Sequence, residues 1–123
     1  MLGKLALKYY KEGYNCSQCI IKACDDFYKL NLDSRTYDIL SCVSNGFGIG
    51  SICSVFAAAV MAFGLMFDER KAKALRIAFL TEANKKFGAA DCPRVHSYMA
   101  KNGGCGKVIE ETGEIIEKIV TTS

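Results

Sequence analysis

Apolar residues recur along this chain at intervals of three and four, and no window shows the alternation of apolar and polar positions that a half-buried strand gives. An interval of three to four is the period of one helix face. The first helix is predicted to end at Gly13, because glycine readily adopts the left-handed conformation that closes a helix. Its inward-facing residues are predicted to be Leu2, Leu5, Ala6 and Tyr9. The predicted fold class is all-α.

Two further helices are predicted before the middle of the chain. Asn15 is a favourable N-cap for the second helix, and Ser34 is predicted to cap a short third helix. The glycine-rich stretch 46–50 follows, where a helix would be costly and a loop is expected. The buried stripe of the second helix is predicted to be Ile20, Ala23, Cys24, Phe27 and Leu30.

The fourth and fifth helices differ in their patterning. The fourth, from Ser51 to about Phe67, is apolar on every face, which is typical of a helix at the centre of a bundle. The fifth spans roughly Glu69 to Phe87, carries its charges on one face and is stopped by Gly88.

Two more helices are predicted near the end of the chain. Pro93 suits the first position of a short helix that ends by Asn102, and residues 107–120 form the last helix. Its inner stripe is predicted to be Val108, Ile109, Thr112, Ile115, Ile116 and Ile119. The whole pattern predicts a bundle of about six or seven helices around the apolar fourth helix.

The charge-free stretch 43–67 is long enough to be weighed as a membrane-spanning segment. Its first third is rich in glycine and serine and is not expected to be helical, which leaves only the lower limit of a spanning length. A central buried helix explains the stretch better. We therefore expect no membrane insertion.

Composition and charge narrow the range of domain arrangements, partners and locations to expect. The 123 residues suit a single domain over residues 1–123 with one hydrophobic core. The net charge of +3 is small, and the cations form no run interleaved with aromatic residues, so nucleic acid is not an expected partner. Residues 1–11 contain no continuous apolar segment of the kind found in signal peptides, which predicts a cytoplasmic location.

Basic side chains gather on the predicted fifth helix. Such a face is usually only solvated, but it could dock an acidic redox partner protein. An exposed apolar face elsewhere would allow a homodimer. The cations of the basic face are Arg70, Lys71, Lys73, Arg76, Lys85 and Lys86.

The seven cysteines are the main chemical signal, because cytosolic thiols stay reduced unless they bind metal or cycle in catalysis. Four of them, Cys16, Cys53, Cys92 and Cys105, fall at or just after predicted helix starts. A helix start offers unpaired N–H groups and the positive end of the dipole, which favour thiolate over thiol. If these starts converge, the sulfurs could hold an iron–sulfur cluster, cycle as redox thiols, or bind zinc.

The other cysteines have more ordinary readings, since cysteine often behaves as a small buried hydrophobe. Cys24 and Cys42 are predicted to be core residues. Cys16 and Cys19 form a CxxC unit at a helix start, the arrangement of dithiol oxidoreductases, with Cys19 as the resolving thiol. The βαβ pattern of thioredoxin-like proteins is missing from the sequence.

Glycines accompany two of the four helix starts. Gly48 and Gly50 precede the fourth helix and Gly104 precedes Cys105, so their N–H groups are candidates to approach a bound cofactor. A nucleotide site is disfavoured, because the GxGxxG spacing and the preceding strand are absent. His96, four residues after Cys92, is a candidate ligand or proton shuttle, although a surface histidine is the commoner case.

Several motifs together resemble one family. Residues 13–18 (GYNCSQ), the glycine-rich loop leading to Cys53, residues 91–93 (DCP) and residues 104–105 (GC) are similar to the redox-active C_GCAxxG_C_C family. The resemblance covers most of the chain, and the family's four cysteines match Cys16, Cys53, Cys92 and Cys105. It implies a redox role with a bound prosthetic group such as an iron–sulfur cluster, and it identifies no substrate.

The chain departs from the family signature directly after Cys53. Ser54 and Ala58 stand where the family's CGAxxG hexapeptide has its two glycines. Both replacements are small, so close helix packing is compatible with them. Three functions remain open from the sequence: electron transfer or redox sensing, a non-enzymatic metal-binding or adaptor module, and a dithiol oxidoreductase centred on Cys16 and Cys19.

Overall fold

The computed structural model describes residues 1–44, 49, 52–88 and 105–123. These residues form six α-helices and no β-strand, which confirms the all-α prediction. The helices are α1 (Leu2–Lys11), α2 (Cys16–Tyr28), α3 (Ser34–Ile39), α4 (Ser54–Met66), α5 (Glu69–Phe87) and α6 (Cys105–Thr122). The helix predicted between Pro93 and Asn102 lies outside the described residues. In the described parts of the chain, no helix is both long enough and apolar enough to cross a membrane.

The start of α2 confirms Asn15 as an N-cap. Its side-chain oxygen accepts hydrogen bonds from Ser17 N and Gln18 N, and the Gln18 side chain accepts one from Asn15 N in return. This reciprocal capping box satisfies backbone donors that a helix start otherwise leaves unpaired. Asn15 Nδ2 also donates to Leu40 O at 3.0 Å, which fixes the start of α2 against the end of α3.

Two predicted helix starts are wrong by one to three residues. α3 is capped by Asp33 rather than Ser34, because the Asp33 carboxylate accepts a hydrogen bond from Arg35 N. α4 begins at Ser54 and not at Ser51, and its N-cap is Cys53, whose backbone is still extended. Because this stretch is apolar on every face, it has no repeat of apolar and polar positions that could show where α4 begins.

The two ends of the chain pack together through α1 and α6. Gly113 lies so close to α1 that a Cβ on it would be 2.6 Å from Gly3 Cα, and a Cβ on Gly3 would collide with Glu110 O. Only glycine allows two helix backbones to approach this closely. The six residues predicted for the inner stripe of α6 are all buried, and the helix extends two residues beyond the prediction at each end.

The core is centred on α4, which contacts α2, α5 and α6. Phe56 and Phe63 are fully buried and pack edge-on against Phe79 of α5, with ring centroids 5.8 and 6.0 Å apart. The opposite side of α4 exposes Met61 and Leu65, so this helix is central on one side only. The left-handed Gly88 ends α5 as predicted.

Two predicted core residues are exposed. Phe27 of α2 was placed on the buried stripe, but its ring stacks edge-on against Tyr28 at the surface. Cys42 was predicted to be core and is exposed as well, because it follows the end of α3 in a turn. Of the other stripe positions, Ile20, Ala23 and Cys24 are buried as predicted, whereas Leu30 is half-buried and lies beyond the end of α2.

Candidate functional site

Three of the four candidate cysteines lie at helix starts, as predicted. Cys16 is the first residue of α2, Cys53 is the N-cap of α4 and Cys105 is the first residue of α6. Cys92 lies outside the described residues, and the backbone alone is described for Cys105. The thiolate-favouring end of a helix is therefore available at each of the three positions.

The starts of α2 and α6 lie at the same end of the bundle. A Cβ on Gly106, the second residue of α6, would lie 3.0 Å from Leu7 Cδ1 in the second half of α1. At the other end of the contact, Leu2 N donates to Glu117 Oε1 at 2.9 Å, so α1 and α6 are antiparallel. Because α2 begins a short turn after α1 ends, Cys16 follows the end of α1 that faces the start of α6.

The C-terminal ends of α2 and α6 also lie at one end of the bundle. Burial raises the pKa of the Tyr28 phenol to about 12, and the nearby Cys24 and Glu117 side chains raise it further. Tyr28 and Glu117 lie equally far along their helices from Cys16 and Cys105. The two helices therefore run in the same direction through the bundle.

The start of α4 is buried. Cys53 is 3 % exposed and Ser54 is 2 % exposed. Within the described residues no side chain caps this helix, and its first turn holds no acidic residue. The first intrahelical bond runs from Ala57 N to Cys53 O at 3.0 Å, so the N–H groups before Ala57 precede the helical ladder.

A polar atom without a hydrogen-bond partner also lies at the start of α4. Ser54 Oγ is buried and makes no hydrogen bond to any described residue. Phe56, two residues further on, packs against Phe87 with ring centroids 5.4 Å apart, which seals the start of α4 against the end of α5. A buried helix start with an unused hydroxyl and positive dipole suits an anionic ligand.

The CxxC partner of Cys16 is a buried thiol. Cys19 is fully buried, and its Sγ donates to Cys16 O at 3.2 Å. Burial, followed by the charge on Cys16, raises the pKa of Cys19 to about 12. Cys19 is therefore a protonated thiol at neutral pH. Burial likewise raises the pKa of Cys24 to about 12, which fits its predicted place in the core.

The described side chains contain no group of three or more histidine, cysteine, aspartate or glutamate residues arranged to hold a metal ion. His96 and the candidate glycines Gly48, Gly50 and Gly104 lie outside the described residues, so their roles stay predictions. The donor chemistry at the described starts nevertheless fits an iron–sulfur cluster, because thiolates bind iron and helix N–H groups and hydroxyls stabilise bound sulfur.

Sequence reasoning missed two polar features. One is the unpaired Ser54 hydroxyl, since the sequence indicates only that Ser54 is small. The other is a pair of phenol–carboxylate hydrogen bonds on α2, from Tyr9 to Asp26 and from Tyr37 to Asp25. No local signal could have found either, because both depend on which residues the helices bring together.

The fold and the site define a helical cysteine protein in which Cys16, Cys53 and Cys105 lie at helix starts. Residues 14–119 match the family model described as "Putative redox-active protein (C_GCAxxG_C_C)". The chain belongs to this family, which confirms the resemblance. The expected CGAxxG hexapeptide is wrong, because the family's motif reads GCAxxG: Ile52 and Ala57 stand at its two glycines, and Ser54 stands at its alanine. No curated protein and no solved structure matches the chain.

Proposed function

We propose that this protein carries an iron–sulfur cluster bound by Cys16, Cys53, Cys92 and Cys105, and that it serves in electron transfer or redox sensing. The observation that carries the proposal is the buried start of α4. There a family cysteine occupies the N-cap position, and no described side chain caps the helix. Membership of a family described as redox-active supports the same conclusion.

The physical argument concerns charge. A thiolate taken out of water needs hydrogen-bond donors or positive charge nearby, or it takes up a proton. The start of α4 supplies the positive end of the helix dipole and N–H groups that precede the helical ladder. Cys53 can therefore remain an anionic ligand inside the core.

The cluster, when bound, supplies a redox couple whose potential depends on hydrogen bonds to its sulfurs and on solvent exposure. The role of the chain is to hold and shield it. Cys53 lies in the core, whereas Cys16 is half-buried. An acidic partner protein could approach along the exposed cations of α5, which include Arg70, Lys71 and Lys85.

Anaerobic purification followed by a visible spectrum and a metal and sulfide analysis tests the proposal. We expect a coloured protein that contains iron and acid-labile sulfide. A colourless protein with stoichiometric zinc would contradict the cluster and favour a structural or adaptor metal site. Anaerobic handling matters, because oxygen destroys exposed clusters and oxidises the released thiols.

A dithiol oxidoreductase is the second candidate, favoured by the contact between Cys19 Sγ and Cys16 O. The half-buried Cys16 thiolate would attack a substrate disulfide, and Cys19 would then displace the substrate thiol. The two protein thiols lose two electrons and two protons, and the substrate disulfide gains them. A reversible Cys16–Cys19 disulfide that Cys19→Ser abolishes, in a metal-free protein, would support this candidate. A cluster that survives Cys19→Ser would exclude it.

A further inference from the structure

Three buried hydroxyl oxygens lack a hydrogen-bond partner among the described residues: Tyr28 Oη, Ser54 Oγ and Thr112 Oγ1. An unsatisfied buried hydroxyl costs about 1–3 kcal/mol, so each one requires an explanation. Tyr28 lies at the end of α2, and Thr112 lies in the interior of α6, two turns from its start. Only Ser54 lies at the start of a helix and beside a cysteine of the family motif.

Two independent observations therefore coincide at Ser54. The helix start at Cys53 is buried without a side-chain cap, and the next residue holds an unused hydroxyl that is almost fully buried. The Cα atoms of Cys53 and Ser54 are separated by one trans peptide, about 3.8 Å. The Cys53 sulfur is not a partner of the Ser54 hydroxyl, so this O–H group is left free for a ligand bound beside it.

We infer that the Ser54 hydroxyl donates a hydrogen bond to an anionic sulfide of the cofactor that Cys53 binds. Ser54 is thus a positioning residue that acts on the redox group through sulfur. This inference rests on the proposed function. The family motif, GCAxxG, has alanine at this position, so the hydroxyl is a feature that this chain adds to the motif.

A hydrogen bond to sulfur has a predictable electronic effect. Reduction adds negative charge to the redox group, and a donor stabilises the more negative state. The hydroxyl should therefore raise the reduction potential. It should also tighten binding of the cofactor, because a hydroxyl that is unpaired without the cofactor becomes paired when the cofactor binds.

The test compares Ser54→Ala and Ser54→Gly with the unchanged protein, and uses Thr112→Val as a matched control that also removes an unpaired buried hydroxyl. Anaerobically purified samples are titrated spectroelectrochemically, and thermal unfolding is measured with and without the cofactor. Both Ser54 variants should shift the redox equilibrium about tenfold toward the oxidised state, which is about 59 mV for a one-electron couple. Thr112→Val should leave the potential unchanged.

Unfolding gives a second readout that does not depend on redox behaviour. Ser54→Ala should raise the midpoint temperature of the cofactor-free protein and lower that of the loaded protein, since the hydroxyl is unpaired in one state and paired in the other. Thr112→Val should raise the midpoint in both states. Ser54→Thr, which restores a hydroxyl, should recover part of the potential.

A coloured wild-type protein whose potential is unchanged in Ser54→Ala, and whose stability changes with the same sign in both states, would overturn the inference and leave the proposed cluster standing. A wild-type protein without iron or sulfide would overturn both together.

Discussion

The starts of α2 and α4 each carry a family cysteine, yet they are built in opposite ways. At α2, Asn15 accepts two backbone hydrogen bonds and Gln18 accepts a third, so three of the backbone donors at this start are already used. At α4, the cysteine itself is the N-cap and no described side chain accepts a hydrogen bond from the first turn. The α2 start is also half-exposed at Cys16, whereas the α4 start is buried at Cys53.

The difference indicates separate tasks for the two starts. A capped start is held in place by its own sequence and needs no ligand, so α2 can position the Cys16 sulfur in advance. A buried start without a side-chain cap has donors to offer, so α4 is the place where a ligand anion gains most.

Loss of a sulfur ligand should have the largest effect. Cys16→Ala should lower the iron content and the visible absorbance about tenfold or more, because a cluster that lacks one thiolate is weakly held. Iron analysis and the visible spectrum of anaerobic samples measure this. Cys42→Ser is the matched control, since Cys42 is exposed and outside the family's four cysteines, and it should keep the full cofactor content. Equal losses in both variants would contradict the assignment of Cys16.

The contact between Gly3 and Gly113 packs α1 closely against α6. Gly113→Ala should destabilise the protein by about 3 kcal/mol, because its Cβ would lie 2.6 Å from Gly3 Cα and the helices would have to separate. Gly64→Ala in α4 is the control. A Cβ there meets nothing within 4 Å, so we expect a gain of about 1 kcal/mol from helix propensity. Chemical denaturation measures both, and a neutral Gly113→Ala would disprove the close contact.

Loss of the α2 cap should lower the unfolding free energy by less than loss of the Gly3–Gly113 contact. Asn15→Ala should cost about 2 kcal/mol in unfolding free energy, at the upper end for a cap, because the side chain also donates to Leu40 O and Ser41 O. Asn15→Asp keeps the acceptor and loses the donor, so its loss should be smaller. If Asn15→Ala changes stability by only a few tenths of a kcal/mol, the capping box is not what fixes the start of α2.

Alkaline pH should lower the folding stability through the hydrogen bond between Tyr9 and Asp26 of α2. The hydrogen bond to Asp26 is the main cause that raises the pKa of Tyr9 from 10.0 to about 12, so the folded chain keeps a proton that the unfolded chain loses. The stability from this pair is complete below pH 10 and falls as the pH rises toward 12. Denaturation between pH 9 and 12 should show a steeper decline for the wild type than for Tyr9→Phe. Identical slopes would contradict the role of this pair. α4 contains no titratable side chain and should add nothing to the slope.

The sequence predicted those parts of the fold that repeat or act locally. The 3.6-residue period placed all six inner residues of α6, and the side-chain chemistry of Asn15 identified the cap of α2. It also placed Cys16, Cys53 and Cys105 at helix starts. These features depend on neighbours in the chain, which a sequence displays directly.

Features that depend on distant residues could not be predicted. Nothing next to Gly3 or Gly113 shows that they meet, and nothing in the uniformly apolar fourth helix fixes its first residue. The exposure of Phe27 and the burial of the Ser54 hydroxyl follow from how helices pack, which periodicity alone does not describe. The chemistry of the site was thus readable from the cysteines, and its polar surroundings were not.

X-ray absorption at the iron edge of the anaerobically purified protein tests the role of the α4 start most directly. We expect iron surrounded by sulfur in the unchanged chain, and one sulfur neighbour replaced by oxygen or lost, together with part of the iron, in Cys53→Ser. An iron environment that is the same in the two proteins, or an unchanged chain that binds no iron, would contradict the account.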